Sequence, residues 1–247
     1  MNNDSIYDDE QIFDEYIKYR HDENSPHSVE VKPAIIDLVG STEGKKVLDV
    51  GCGTGDLVYY FSQSGAKRVV GIDIARRAID YANRHNKNEN VEYKEMNIYD
   101  LDKLNDKFDI VISDIVFNYI SDFKIAMKNI YDLLDKKGIV VFSQLHPFST
   151  APLNGRLWSK NEEGHEYYHL SDYGISGFRE TNYFGGKLEM FHRTFAEIIN
   201  TITETGFEIV QLIEPTPSEE IIKKFPDRIR EIHKPSFLIM KLMKKWW

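Results

Sequence analysis

The segment around Asp49 combines a short apolar run with a glycine-rich turn. Its sequence, VLDVGCGTGD, places Asp49 near the end of a predicted strand. Three glycines form the turn that follows: Gly51, Gly53 and Gly55. Glycines there let the backbone approach a ligand without a Cβ in the way. Asp73 ends the next predicted strand, 24 residues beyond Asp49, where an acid can accept hydrogen bonds from a ribose diol. The pattern predicts a pocket for a nucleoside that carries a further group.

The charge of the turn distinguishes two classes of nucleoside cofactor. A dinucleotide site has the spacing G-x-G-x-x-G, but Asp56 stands at the position of the third glycine. Asp49 and Asp56 would repel a pyrophosphate by about 4 kcal/mol at about 4 Å and an effective dielectric constant of about 20. S-adenosylmethionine (SAM) instead brings an ammonium and a sulfonium, which carboxylates attract. The turn therefore favours SAM.

The glycine-rich segment and the sequence GIDI around Asp73 resemble the first and second motifs of class I SAM-dependent methyltransferases. The resemblance implies that Asp49 lies near the methionine ammonium, and that Gly51 and Gly53 line the methionine half of the pocket. It implies that Asp73 binds the ribose and that Ile74 packs on the adenine. Cofactor contacts are thus expected from the tips of the first two strands.

Other cofactor contacts are also implied by this resemblance. Asn97 is expected to meet the adenine amino group, with Ile98 beside it. Ser113 begins the sequence SDIVFNY, which resembles the fourth motif and is expected to face the methyl group. Cys52 lies inside the glycine turn and is expected to line the pocket as a small apolar filler. It is the only cysteine, so neither a disulfide within the chain nor covalent cysteine catalysis is expected.

A tyrosine-rich N-terminal stretch supplies Tyr16, Tyr19 and Arg20. In similar enzymes the N-terminal segment closes over SAM, and an aromatic ring packs near the sulfonium. A cation on an aromatic face is worth about 0.5–2 kcal/mol. We expect these three residues to contact the cofactor; ordinary helix packing is the alternative.

Two histidines are candidates for the catalytic base. His146 follows the fifth predicted strand, and His192 ends a strand after the insertion described below. Near neutral pH a histidine can take a proton from a hydroxyl or an amine. We expect one of them to be the base or to orient the acceptor; a structural histidine bonded to the backbone is the alternative.

The sequence HEYYH at 165–169 has the form His-Glu-x-x-His, which on a helix can bind zinc. Gly164 precedes it and Ser-Asp-Tyr-Gly follows closely, so we predict a loop or a short turn. No metal is therefore expected.

These residues are placed by an alternation of short apolar runs and helical stretches. The predicted strands are 46–50, 68–73, 91–94, 108–112, 139–142, 207–213 and 237–244. The predicted helices among them are 57–64, 76–85, 125–134 and 194–205. Such alternation predicts an α/β fold with a doubly wound, mostly parallel seven-stranded sheet, and the resemblance implies the Rossmann-like methyltransferase fold. Its loops after the strands meet at one edge, where ligands bind.

We expect one domain over residues 1–247, with a helical cap at 1–40 and an insertion or lid at 149–190. The insertion has weak strand signals at 178–184 and 187–193. It is rich in aromatic side chains that would stack on a flat acceptor or form a small core of their own: Trp158, Tyr168, Tyr173, Phe178, Tyr183 and Phe184.

The composition excludes several classes of protein. The chain has 247 residues, 41% of them hydrophobic, which excludes a disordered protein. Its 31 basic and 40 acidic side chains give a net charge of −9, so no nucleic-acid partner is expected. No apolar run approaches the roughly 18–20 residues that span a bilayer, and the start, MNNDSIYDDE, is unlike a signal peptide. We expect a soluble, cytoplasmic protein with no membrane partner.

The resemblance extends to later segments. SQLHPF at 143–148, FHRTF at 191–195 and EPTP at 214–217 resemble a small-molecule branch described as ubiquinone/menaquinone-methylase-like. This resemblance implies methyl transfer from SAM to an oxygen or nitrogen atom of a small-molecule acceptor. The reaction would be an in-line displacement that releases S-adenosylhomocysteine (SAH). The alternatives are a methyltransferase that acts on RNA or protein, and a non-catalytic SAM-binding module that regulates a partner.

Overall fold

The computed structural model describes residues 5–153 and 157–245, so the start of the predicted cap (1–4), part of the insertion (154–156) and residues 246–247 lie outside it. The α-helices are α1 (Glu10–His21), α2 (Lys32–Val39), α3 (Asp56–Gln63), α4 (Arg76–His85), α5 (Phe123–Leu133), α6 (Pro147–Thr150), α7 (Phe195–Thr205), α8 (Glu219–Lys224) and α9 (Arg230–His233). The strands are β1 (Lys46–Val50), β2 (Arg68–Asp73), β3 (Val91–Glu95), β4 (Phe108–Asp114), β5 (Leu134–Leu145), β6 (Trp158–Lys160), β7 (Glu166–Tyr168), β8 (Gly177–Tyr183), β9 (Gly186–His192), β10 (Phe207–Ile213) and β11 (Phe237–Lys244). A π-helical turn, His27–Val31, leads into α2, and 3₁₀ turns cover Ile6–Asp8, Ile98–Leu104, Phe117–Tyr119 and Pro226–Ile229.

The main sheet has seven strands in the order β10-β11-β5-β4-β1-β2-β3. Strands β1 to β5 pair in parallel, and β11 runs antiparallel to both of its neighbours. This confirms the predicted α/β fold with a doubly wound, mostly parallel seven-stranded sheet. The chain order reverses between β1 and β4, and in open sheets of this kind ligands bind outside the carboxyl ends of the strands at that point.

Helices cover both faces of the sheet, which explains why its central strands are continuous apolar runs. On one face Leu48, Ile130 and Phe142 belong to a core that α5 and α7 complete. On the other face Phe61 of α3 and Ile35 of α2 pack in a second core. Burial of each side chain of this size stabilises the folded state by about 1.5–3 kcal/mol. The two cores therefore hold in place the strands whose tips end at the ligand edge.

The structure differs from the sequence prediction mainly in the insertion. The insertion contains two hairpins, β6–β7 and β8–β9. The prediction of a loop or a short turn at 165–169 is wrong, because Glu166–Tyr168 is a strand. The side-chain oxygen of Asn161 accepts hydrogen bonds from the N–H groups of Glu163 and His165, and Gly164 has φ +85°. An asparagine and a glycine in these roles form a tight turn that lets the chain reverse into β7.

Candidate active site

The glycine turn after β1 approaches its neighbours too closely for side chains. The N–H groups of Gly51 and Cys52 both donate to the carbonyl of Ile72, at 2.7 and 2.9 Å, which ties the turn to β2. A Cβ on Gly51 would lie 2.2 Å from Val116 Cγ2, and Gly51 has φ +74°. Only glycine fits that geometry without strain, so the sequence leaves a bare backbone surface at this edge.

Asp73 closes the other side of the turn. Its Oδ2 accepts from the N–H of Gly53 at 2.9 Å, and its Oδ1 accepts from the N–H of Ala75 at 2.8 Å. Burial raises the pKa of Asp73, and these backbone hydrogen bonds oppose the rise. Each carboxylate oxygen can accept more than one hydrogen bond, so Asp73 can still receive the two hydroxyls of a ribose. Ile74 beside it is exposed and offers an apolar surface for a base.

Asp49 is 2% exposed, and its Oδ1 has no hydrogen-bond partner among the described residues. Burial, followed by the charge of Asp114, raises the pKa of Asp49 well above its usual range. A buried carboxyl group without a partner is costly unless a cation or a donor joins it. An ammonium group would supply such a partner, and the contact of Asp49 with the ammonium of SAM stays a prediction.

A cluster of charged side chains lies at the end of β4. Arg20 Nη1 donates to Asp114 Oδ2 at 3.2 Å, and Arg20 Nη2 lies 3.6 Å from Asp56 Oδ2. His27 Nε2 lies 2.5 Å from Asp114 Oδ2, and the hydroxyl of Ser143 donates to Asp114 Oδ1 at 2.7 Å. Burial alone would raise the pKa of Asp114, but His27, Arg20 and Ser143 hold it well below its usual range. Asp114 is therefore ionised at neutral pH.

The two predicted aromatic residues of the N-terminal cap contact different parts of the site. The hydroxyl of Tyr16 is 2.5 Å from the position of a Cβ on Gly53. The ring of Tyr19 lies 6.1 Å from that of Phe184, at the tip of the β8–β9 hairpin. Burial raises the pKa of Tyr19 to about 12, so its hydroxyl stays neutral. The structure thus brings Tyr16 and Arg20 to the glycine turn, whereas Tyr19 lies against the tip of the β8–β9 hairpin.

The remaining predicted cofactor residues lie nearby, with partners within the protein. The Ser113 hydroxyl donates to the carbonyl of Val50 at 3.0 Å, which fastens β4 to β1. The Asn97 side-chain oxygen accepts from the N–H of Tyr99 at 3.0 Å, and Ile98 is buried in the core. Burial raises the pKa of the Cys52 thiol well above its usual range, which suits a packing role. Their contact with the cofactor stays a prediction.

Both histidines predicted as bases have hydrogen-bond partners at both ring nitrogens. His146 Nδ1 accepts from the N–H of Phe148 at 3.1 Å, so its Nε2 donates to Glu214 Oε1 at 2.9 Å. His192 Nε2 donates to the carbonyl of Tyr173 at 2.9 Å, and its Nδ1 lies 2.8 Å from the Thr150 hydroxyl. Burial lowers the pKa of both rings. Each would have to give up a hydrogen bond to bind an acceptor, and their catalytic role stays a prediction.

The two histidines of HEYYH do not share a helical turn. The extended chain through β7 separates His165 and His169 by roughly 13 Å, at about 3.3 Å per residue. Glu166 forms ion pairs with Arg230 and Lys160. Within residues 5–153 and 157–245, no three His, Cys, Asp or Glu side chains are grouped to hold a metal ion.

His27 and Asp114 are two residues of the cluster at the end of β4 that the sequence motifs do not predict as site residues. Asp114 directly follows Ser113 in the segment that resembles the fourth motif, so this motif could have indicated Asp114 as a site residue. His27 lies in the cap, 87 residues from Asp114, and no spacing connects the two. Only the fold of the cap over the sheet edge brings them together.

Comparisons with known proteins agree with this geometry. A family model described as a methyltransferase domain matches residues 41–202. An uncharacterized protein of Haemophilus influenzae is 31% identical over 253 residues and covers 99% of each chain. The ubiquinone biosynthesis O-methyltransferase of Neisseria meningitidis is 29% identical over 124 residues, which cover 47% of this chain and 52% of that protein.

A solved structure from Listeria monocytogenes, provisionally assigned as a SAM-dependent methyltransferase, superposes with a TM-score of 0.79. It is 30% identical and covers 87% of this chain and 96% of that one. The seven-stranded sheet, the glycine turn and the two strand-tip carboxylates define a class I SAM-dependent methyltransferase, an enzyme whose methyl donor is SAM. The chain belongs to the methyltransferase domain family.

None of the helices in the described ranges is both long and apolar enough to cross a membrane.

Proposed function

We propose that the enzyme methylates an oxygen or nitrogen atom of a small molecule by in-line displacement and releases SAH. The observation that carries this proposal is the roof over the ligand edge of the sheet. The tip of the β8–β9 hairpin packs on the N-terminal cap so tightly that a Cβ on Gly186 would lie 2.5 Å from Ile12 Cδ1. An acceptor must fit beneath this roof, which favours a small molecule over a folded macromolecule.

A third segment, between β10 and β11, adds to the roof. Lys224 Nζ donates to Asn24 Oδ1 in the cap at 2.7 Å. Arg230 pairs with Glu166 in the β6–β7 hairpin through two hydrogen bonds of 2.5 Å. The cap, the insertion and this segment therefore support one another above the strand tips. Such an enclosure excludes water and holds an acceptor in line, which are the main contributions that methyl transfer needs from a protein.

The proposal assigns a role to each side of the pocket. Asp49 binds the ammonium of SAM, and Asp73 binds the ribose, while Arg20 supplies a cation for the methionine carboxylate. The adenine lies against Ile74, with Asn97 and Ile98 at its edge. Tyr16 and Tyr19 close over the sulfonium. The sulfonium of SAM activates the methyl group, so the protein's task is to position and deprotonate the acceptor.

Similarity and charge support a small acceptor. The relative from Neisseria meningitidis is named as an O-methyltransferase of ubiquinone biosynthesis. A net charge of −9 is unsuited to a polyanionic RNA, whose binding depends on neutralising phosphates.

An SAH-release assay tests the proposal. The enzyme is incubated with SAM and, in separate arms, with phenols, alcohols, amines, carboxylic acids, total RNA and a mixture of bacterial proteins. We expect turnover in at least one small-molecule arm and none with RNA or protein. Turnover with RNA or protein alone would contradict a small acceptor. SAM binding without turnover in any arm would favour the regulatory module.

A further inference from the structure

Three charged side chains meet where the cap contacts the segment between β10 and β11, residues 214–236, which we call the bridging segment. Glu30 belongs to the π-helical turn of the cap, and Arg228 and Glu231 belong to the bridging segment. Arg228 Nη2 donates to Glu30 Oε1, and Arg228 Nε lies 3.4 Å from Glu231 Oε1. The side chain of Glu30 is 4% exposed, so the cap and the bridging segment enclose a buried ionic junction.

The junction contains several buried polar atoms without a hydrogen-bond partner among the described residues. They are Glu30 Oε2, Glu231 Oε2, and Nε and Nη1 of Arg228. Two ionised carboxylates cannot donate to each other, but a proton between the two carboxyl groups supplies a donor to their oxygens. With this proton the three residues are neutral together, and without it their charges sum to −1.

The surroundings of Glu30 favour this proton. Burial, followed by the charge of Glu231, raises the pKa of Glu30 to about 7, and Arg228 opposes the rise. Lys234 also interacts with Glu231, and burial lowers the pKa of its ammonium group. Its Nζ lies 5.1 Å from the centre of the Tyr168 ring in β7. The junction is therefore neutral in mildly acidic solution and becomes negative as the pH rises through about 7.

The turn that carries Glu30 also contacts the ligand edge of the sheet. It begins at His27, whose Nε2 lies 2.5 Å from Asp114 Oδ2 and 2.9 Å from Arg20 Nη1. Arg20 Nη2 lies 3.6 Å from Asp56 Oδ2 at the start of α3. Turns of the π-helical type are rare and are frequently found at functional sites. A movement of this turn would change the contacts between the cap and the strand tips.

The cap has both a reason and the space to move. The hydroxyl of Tyr16 is 2.5 Å from the position of a Cβ on Gly53, so the cap closely covers the glycine turn. A cofactor that enters or leaves at this turn requires the cap to move aside. A cavity of about 600 Å³ lies beside the π-helical turn, lined among others by Arg20, Ser28 and Lys32. This cavity leaves room for the turn to shift.

We propose that Glu30, Arg228 and Glu231 form a pH-sensitive latch, whose opening lets the cap move aside when SAM enters and SAH leaves. With its proton, the latch holds the cap on the bridging segment. Without it, two buried carboxylates share one guanidinium, and their repulsion favours an open cap in which water solvates all three groups. The latch acts on the cofactor, so this inference goes beyond the proposed function and holds whichever acceptor the enzyme methylates.

Surface plasmon resonance tests the latch, with the full chain immobilised and SAH as the analyte at pH 6 and pH 8. If opening returns the pKa of Glu30 from about 7 to its ordinary 4.5, the open fraction rises about tenfold between these pH values. Glu30→Gln resembles the protonated acid and lacks this change. We therefore expect the release rate of the wild type, divided by that of Glu30→Gln, to rise roughly five- to tenfold from pH 6 to pH 8.

The dissociation constant of SAH separates a gate from a structural support. A gate changes entry and release by the same factor, so we expect the two proteins to have dissociation constants within about threefold of each other at each pH. Any titration of Asp49 enters both proteins equally and cancels in the comparison. A rise in the release-rate ratio that is matched by the same rise in the ratio of dissociation constants would contradict the latch.

Glu231→Gln tests the junction from the bridging segment. Glutamine can donate to Glu30, so we expect release rates that match those of Glu30→Gln at both pH values. Glu220→Gln, at an exposed acid of α8, is the matched control and keeps the wild-type pH dependence. A wild type whose release rate keeps the same ratio to both variants at pH 6 and pH 8 would overturn the proposal. Since SAH binds without an acceptor, turnover with RNA or protein alone would contradict only the proposed function.

Discussion

The hydroxyl of Tyr16 lies 2.5 Å from the point where a Cβ on Gly53 would stand. The cap and the glycine turn therefore approach each other closely at this point. Gly53 also donates its N–H to Asp73, so one residue connects the cap, the turn and the acid that we propose to bind the ribose. Any side chain at this position must displace either the cap or the cofactor.

Gly53→Ala is expected to weaken SAM binding about tenfold or more and to destabilise the protein. Gly53 has φ +52°, where a residue with a Cβ is strained by roughly 1–2 kcal/mol, and the methyl group collides with Tyr16. Calorimetry with SAM and thermal unfolding measure the two effects. Gly174→Ala is the control, because a Cβ there meets nothing within 4 Å. Adding Tyr16→Phe should restore part of the binding; if it restores none, the collision is not with the tyrosine hydroxyl.

Asp49→Asn is expected to stabilise the free protein while it abolishes tight SAM binding. The raised pKa of Asp49 means that the native state favours the protonated form. Wild-type stability is full below the unfolded-state pKa and falls as the pH rises through the native pKa. Asparagine removes that loss, so we expect the melting temperature at neutral pH to rise by about 2–4 °C, the effect of roughly 1 kcal/mol in a chain of this size.

Asp49→Asn also tests whether SAM binding releases a proton from Asp49. An ammonium beside Asp49 favours the carboxylate, so SAM binding should release a proton, and wild-type affinity should rise with pH over the range in which free Asp49 titrates. In Asp49→Asn the affinity should be at least about tenfold weaker, because hydrogen bonds to charged groups are worth about 1.5–3 kcal/mol. It should also be independent of pH in that range. Calorimetry in buffers of different ionisation enthalpy counts the protons; equal proton release in both proteins would exclude Asp49 as their source.

Much of this architecture could be predicted from the sequence, because its signals are local. The apolar run before Asp49 and the glycines after it fix where β1 ends and the turn begins. The alternation of strands and helices predicts the sheet. By contrast, His27 and Asp114 are distant in the chain, and neither has a partner at an informative spacing. Their pairing depends on the path of the cap, which periodicity does not encode.

The hairpin β6–β7 shows a second limit of what can be predicted from the sequence. Its strands have three residues each, too few for an alternating pattern to be distinguished from a loop. The ion pair of Glu166 with Arg230 connects this hairpin to a segment 64 residues further along the chain. Tertiary contacts, rather than local preference, determine its conformation.

Glu30 and the segment between β10 and β11 make stability depend on pH. Burial and the nearby Glu231 raise the pKa of Glu30 to about 7, although Arg228 opposes this rise. The stability that this group provides is full below its unfolded pKa and is lost as the pH rises through about 7. We therefore expect the free energy of unfolding to fall by roughly 1–3 kcal/mol between pH 5 and pH 8.

Glu30→Gln should abolish that dependence, because glutamine resembles the protonated acid and can still accept a hydrogen bond from Arg228. Urea unfolding at the two pH values provides the measurement. The exposed Glu95→Gln is the control and should keep the wild-type dependence. Equal pH dependence in Glu30→Gln and the wild type would show that another group is responsible.

The double variant His146→Gln/His192→Gln tests the bases that the sequence predicted. Each ring already uses both nitrogens within the protein, and His146 caps the start of α6 by accepting from the N–H of Phe148. We expect a loss of stability of about 1 kcal/mol per site, typical of a lost cap or hydrogen bond, with kcat within about fivefold of the wild type. The SAH-release assay and urea unfolding are run on the same preparations. A fall in kcat of a hundredfold or more in a folded double variant would support the catalytic role of these histidines and would place the base on the side of the insertion, away from the cap.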